Sequence, residues 1–149
     1  MEARYGEPSS LFSVIRYKIV DKHLDTIRKI AKDVYDTLGS GFSEDVYDQA
    51  MQVGLRVQHI HYESQKVLEL KYLNTCVGEG YPDLVVHFDD KTFVVVELKA
   101  VGSKMGAGEE QQLRNYMKIL GAQFGLLINF QLPGKKPGKT ELEIREVKS

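Results

Sequence analysis

The sequence predicts an α/β sandwich, a mixed β-sheet with helices on its faces. Three observations carry this reading. Leu24, Ile27, Ala31, Val34, Tyr35 and Leu38 recur at three-and-four spacing, which is the apolar face of a helix. Residues 83–88 and 92–98 are near-continuous apolar runs, and the second reads as a strand buried on both sides. The pattern then returns to helix at Leu113, Tyr116, Met117 and Leu120 before another apolar strand at 124–130.

Each element follows in order. Residues 1–10 are polar, contain Gly6 and Pro8, and are expected to fray. Leu11 to Val20 is an apolar patch that should dock on the body of the chain or on a second copy. Residues 1–22 therefore read as a partly flexible N-terminal extension, and 23–149 as a single domain. Gly39 stops the first helix. Ser43 suits the cap of a second, with Glu44 and Asp45 in its first turn and Val46, Tyr47, Ala50, Met51 and Leu55 on its apolar side. Residues 65–72 are expected as an edge strand, and Asp89-Asp90-Lys91 as the turn between the next two strands. Gly102 to Gly108 is a glycine-rich loop, Gly121 ends the third helix, 133–139 is a basic turn, and 140–147 alternates as a last edge strand.

Bulk properties narrow the function. A chain of 149 residues, 42% hydrophobic and 28% charged, fits one ordinary globular domain. There is no membrane-spanning run and no leader-like start. The single cysteine, Cys76, excludes an internal disulfide and cannot alone hold zinc or an iron–sulfur cluster, so no such cluster is expected. A reducing, cytoplasmic setting is the expectation (nuclear if the source is eukaryotic). The net charge of −1 argues against a passive nucleic-acid coat but not against an enzyme.

The chemistry concentrates between Asp83 and Lys99. With a turn centred on Asp90, Asp83 lies opposite Glu97, while Glu97 and Lys99 share a face and Leu98 points away. Two carboxylates then meet across neighbouring strands, at roughly 5 Å between Cβ atoms, where like charges are destabilising. A divalent cation with oxygen ligands would compensate. Lys99 stands beside it, placed to orient an activated water or to stabilise a developing negative charge.

Longer motifs add to this. Pro82-Asp83, thirteen residues, then Glu97-Leu98-Lys99 resembles the signature of the PD-(D/E)XK nuclease superfamily. Gly41-Phe-Ser-Glu44-Asp-Val-Tyr47 resembles the Gly-x-x-Glu-x-x-Tyr motif of one subfamily, and Gln112-Leu-Arg-Asn-Tyr116 the Gln-x-x-x-Tyr motif of RecB-type members. The resemblance spans about residues 24–147. It implies a restriction-endonuclease-like core in α-β-β-β-α-β order with an extra N-terminal helix. It further implies Mg2+ or Mn2+ held by Asp83, Glu97 and the Leu98 carbonyl, with Lys99 catalytic and Glu44 reaching the metal directly or through water. Gln112 and Tyr116 would steady the substrate strand. The implied activity is hydrolysis of phosphodiester bonds, in DNA, by a metal-activated water. A dimeric junction-resolving endonuclease and a catalytically silent nucleic-acid-binding or protein-interaction module remain as alternatives on the same fold.

Other residues receive plainer readings. His59 and His61 are expected as exposed loop histidines, His87 as a cross-strand neighbour, and Cys76 as unactivated. The 102–108 loop lacks the Gly-Lys-Ser/Thr ending of a nucleotide-binding loop. Its Lys104 is a candidate phosphate contact, as are Lys135, Lys136 and Lys139, although a basic turn is usually just solvated.

Overall fold

A computed structural model describes residues 10–102, 105–131 and 142–149. Lys104, Lys135, Lys136 and Lys139 lie outside the described residues, as does the whole of the basic turn at 133–139. The helices are α1 (Ser10–Leu38), α2 (Glu44–Val57) and α3 (Ala107–Leu120). The strands are β1 (His61–Ser64), β2 (Leu68–Tyr72), β3 (Thr75–Gly80), β4 (Leu84–His87), β5 (Phe93–Lys99), β6 (Phe124–Asn129) and β7 (Glu143–Lys148). Five strands form one sheet in the order β1-β4-β5-β6-β7, and β2 and β3 pair as a separate ribbon. The sheet is antiparallel except at β5–β6, where the chain crosses over through α3.

Strand alternation explains the two layers. Val94, Val96 and Leu98 of β5 point into a core built with Leu24, Ile27 and Ala31 of α1 and Tyr47, Met51 and Leu55 of α2. Val95 points the other way, into a smaller core with Leu113 and Met117 of α3. By the same alternation Glu97 and Lys99 belong to the α3 side. The close seat of α3 depends on Gly125 in β6, where a Cβ would come 2.6 Å from Met117 Sδ and 3.0 Å from Leu113 Cδ1. Arg114 fastens α3 by donating to the Lys148 carbonyl at 2.8 Å, and Arg145 reaches across from β7 to Glu110 at 3.3 Å.

Three expectations need correction. The edge strand beside β4 is β1, not residues 65–72. Gln65 takes φ +52°, which breaks the extended run, and the chain re-forms as β2 against β3. Strand β3 carries Gly78 and Gly80, so it lacks the apolar alternation that marks a strand. His61 belongs to β1 rather than to a loop, opposite His87 with ring centroids 5.3 Å apart, although its side chain is exposed. Finally, the first helix begins at Ser10 rather than near residue 24. Its early turns keep the apolar spacing but run past the body, leaving Leu11 65% exposed and Val14, Ile15 and Ile19 exposed beside it. Cys76 is exposed on β3, its Sγ 3.3 Å from the Gly78 carbonyl. Among the described residues, no helix is long and apolar enough to cross a membrane.

The seat of α3 gives a test. Gly125→Ala should destabilise the fold by about 1–3 kcal/mol in urea denaturation. Gly108→Ala, where an added Cβ meets nothing within 4 Å, should be neutral or slightly stabilising. Equal stability of the two variants would mean that α3 does not rest tightly on β6.

Candidate active site

The turn after β4 fixes everything that follows. Asp89 Oδ1 accepts the Lys91 and Thr92 N–H groups at 2.8 and 2.7 Å, and Phe88 N–H donates to the Thr92 carbonyl at 2.9 Å. The register is then His87 opposite Phe93 and Leu84 opposite Val96. One step further, Asp83 faces Glu97.

These two residues bind each other's backbone. Glu97 Oε1 accepts the Asp83 N–H at 2.9 Å, and Asp83 Oδ2 accepts the Leu98 N–H at 2.8 Å. The carboxylates thereby continue the ladder where main-chain pairing of β4 ends. Gln65 completes the clamp: its N–H donates to the Asp83 carbonyl at 3.1 Å and its Nε2 to Asp83 Oδ1 at 3.2 Å. Asn129, opposite Lys99 in β6, accepts the Val101 N–H at 3.0 Å and steadies the chain as it leaves Lys99.

Helix α2 brings two more acids. Glu44 sits in its first turn and Asp48 one turn later, 7% exposed, where Gln52 Nε2 donates to Asp48 Oδ1 at 2.6 Å. Tyr62 in turn donates to Gln52 Oε1 at 3.2 Å, linking α2 to β1. Tyr47 points into the core instead: it donates to the Gly39 carbonyl at 2.6 Å and stacks on Phe130 at 4.4 Å. The tyrosine of the 41–47 motif thus locks the turn that presents Glu44.

All four carboxyl groups hold their protons more tightly than usual. Glu97, 3% exposed, is pushed up to about 8, by burial first and then by the neighbouring Asp83 charge. Burial raises Asp83 against the opposing Leu98 N–H, Gln65 and Lys99. Burial also raises Glu44, with Asp83 and Asp48 adding to the effect and Lys99 resisting it. Asp48 is raised by burial, with Gln52 opposing and Asp83 adding. Lys99 is the cation that acts on Glu44, Asp83 and Glu97 alike, and one positive charge does not balance them.

Among the described residues, no group of three or more His, Cys, Asp or Glu side chains is arranged to hold a metal. What the structure provides is two carboxylates and the Leu98 carbonyl nearby, an all-oxygen set that suits an ion retaining part of its water shell. The raised Glu97 and Asp83 fit such a group, because a cation would let both ionise. On the α3 side, Gln112 Nε2 donates to the Tyr116 hydroxyl at 3.2 Å, and the Tyr116 ring covers Gly80, where a Cβ would come 2.6 Å from its Cε1. Glu109 accepts the Gly106 N–H at 2.9 Å and feels the Lys99 charge, so the start of α3 lies beside the site.

Sequence reasoning missed Asp48, Gln65 and Asn129. Asp48 lies four residues after Glu44, a spacing that shares a helix face, and this was a usable signal. The other two act through main-chain geometry that has no motif.

The raised Glu97 makes stability depend on pH. Its native value lies above the unfolded one, so the folded state binds the proton more tightly. The metal-free protein should therefore lose stability as pH rises from about 4.5 through about 8. Glu97→Gln should remove the share of this loss that Glu97 carries, a gain on the order of a few kcal/mol at pH 8.5 in EDTA and little at pH 4. A variant no more stable than wild type at pH 8.5 would contradict the buried repulsion.

Comparisons with known proteins agree with this geometry. No curated protein matches the chain at a significant level. The crystal structure of SSO0001 is similar over 70% of this chain, with a TM-score of 0.52 and 18% identity, and this likeness concerns the fold. The chain spans 50% of the length of that protein. A family model of the PD-(D/E)XK nuclease superfamily matches residues 21–142, which include Glu44, the Asp83–Lys99 strand pair and α3. With a five-stranded mixed sheet flanked by helices and an Asp…Glu-x-Lys arrangement at its buried strand ends, the chain belongs to the PD-(D/E)XK nuclease superfamily.

Proposed function

We propose that this chain is a metal-dependent nuclease of the Gly-x-x-Glu-x-x-Tyr type, hydrolysing phosphodiester bonds in DNA with Mg2+ or Mn2+. The observation that carries the reading is the reciprocal clamp of Asp83 and Glu97 beside Lys99, with Glu97 held far above its ordinary range. A divalent cation, when bound, would supply the charge that lets both carboxylates ionise and would acidify a water. Asp83, Glu97 and the Leu98 carbonyl would hold it, with Glu44 as a further acid close by.

The remaining work falls to the chain itself. Water attacks phosphorus, a new P–O bond forms, and the bond to the leaving sugar oxygen breaks. Lys99 aligns that water and offers its ammonium to the charge that builds on the phosphoryl oxygens. Glu44 attracts the Lys99 side chain from α2 and so helps to orient it at the site. Gln112 and Tyr116 line the α3 side and steady the strand being cut.

A second reading has one observation in its favour. The exposed row Leu11, Val14, Ile15 and Ile19 on α1 is an apolar surface that a second copy could cover, as a dimeric junction-resolving enzyme would require. A mass in solution equal to two chains, lost in Ile15→Asp, would favour it.

The direct test is cleavage of labelled single-stranded, duplex and branched DNA, and of RNA, with Mg2+ or Mn2+ against EDTA. Glu97→Ala should abolish metal-dependent cutting. Lys99→Ala should slow it by about a hundredfold or more while changing the Mn2+ dissociation constant only a few-fold. Unchanged cutting in Lys99→Ala would remove Lys99 from the mechanism. No cutting of any substrate, with no metal binding by calorimetry, would leave a silent interaction module.

A further inference from the structure

The β2–β3 ribbon ends in a feature that the fold does not explain. Tyr72 pairs with Thr75, so Leu73 and Asn74 form a two-residue turn, with φ +48° and +63°. Such a turn needs positive φ at both central positions and is normally filled by Asn-Gly. Asn74 suits its place. Leu73 does not, because a bulky side chain in this region strains the backbone. Its side chain gains nothing in return, since Leu73 is 80% exposed and its neighbour Tyr72 is 68% exposed. An apolar pair is thus held at a tip, at a conformational cost, and largely exposed among the described residues.

The ribbon is joined to the candidate site. Strand β3 runs six residues from Thr75 to Gly80, so the tip stands roughly 20 Å from Gly80. Gly80 lies under the Tyr116 ring, and Tyr81-Pro82 lead directly to Asp83. A register shift at Leu70/Lys71 gives the ribbon a bulge that turns its outer end. The ribbon's charges are Glu69, Lys71 and Glu79, and Lys71 is 3.2 Å from Glu69. With no positive excess, the ribbon has little to offer phosphates. What it presents is an aromatic ring and an aliphatic wedge, the side chains that insert between bases and stack on them.

We infer that the β2–β3 ribbon is a strand-separating wedge, with Leu73 and Tyr72 inserting at the boundary between paired and unpaired bases and directing one strand past Pro82 to Asp83, Glu97 and Lys99. This rests on the nuclease reading and gives it a substrate class: nucleic acid with a fork, frayed end or branch.

The test separates the two claims. A forked DNA carries 2-aminopurine in the last base pair before the branch, and its fluorescence is read on titration with the full chain in EDTA and again with Ca2+. Wild type should raise the fluorescence. Leu73→Gly, which relieves the turn and removes the wedge, should suppress the rise and weaken fork binding by roughly tenfold, with single-strand binding unchanged. Leu73→Asn, also suited to positive φ, should behave the same, and both variants should be at least as stable as wild type in urea. No rise with wild type, equal responses from wild type and variants, or a tip that binds only protein would overturn the wedge. Single-strand cleavage without a fluorescence response would sink the wedge and spare the nuclease; a response without cleavage would do the reverse.

Discussion

Two acidic side chains facing each other across a buried strand pair are the constraint around which this molecule is arranged. Glu97 is nearly inaccessible and Asp83 stands against it. A stability-driven sequence would place valines there, as it does at the flanking positions Val85 and Val95. The carboxylates are instead kept in place by main-chain donors: the Asp83 N–H holds Glu97, and the Leu98 N–H holds Asp83. These donors are fixed by the register of the sheet, so the spacing of the pair is a property of the backbone rather than of side-chain rotamers. The apolar layers on either face supply the rigidity that such an arrangement needs.

The surrounding polar groups extend the same logic outwards. Asp48 is tied to Gln52, Gln52 to Tyr62, and Tyr62 accepts a hydrogen bond from Arg56, so the acids of α2 are braced against β1. Tyr47 does a different job on the same helix, closing the α1–α2 turn from within the core. The short span from Gly41 to Tyr47 therefore joins an acid turned toward the site with a ring that fixes where the acid sits. The single parallel pair, β5–β6, forces the chain to cross one face, and α3 makes that crossing on the side of Glu97 and Lys99. Gln112 and Tyr116 arrive beside the site for topological reasons.

Much of this was legible in the residues. The period-two run of β5 and a turn centred on Asp90 fixed the facing of Asp83 and Glu97, because one step of slippage would have put them on opposite faces. The helix faces of α2 and α3 followed from three-and-four spacing. The β2–β3 ribbon was not legible, since Gly78 and Gly80 erase the alternation of β3 and the bend at Gln65 depends on a positive φ that glutamine does not advertise. The start of α1 was misplaced because an overhanging amphipathic turn and a docked one share a pattern. Gln65 and Asn129 act through contacts between distant segments, and no local spacing encodes those.

The position of the one thiol has a practical consequence. Cys76 is the single cysteine of the chain and is exposed on β3, close to the turn at Leu73. A maleimide dye or spin label would therefore attach at one defined place without any engineering. It would report the environment of the ribbon directly, by anisotropy or line shape, in the unaltered protein.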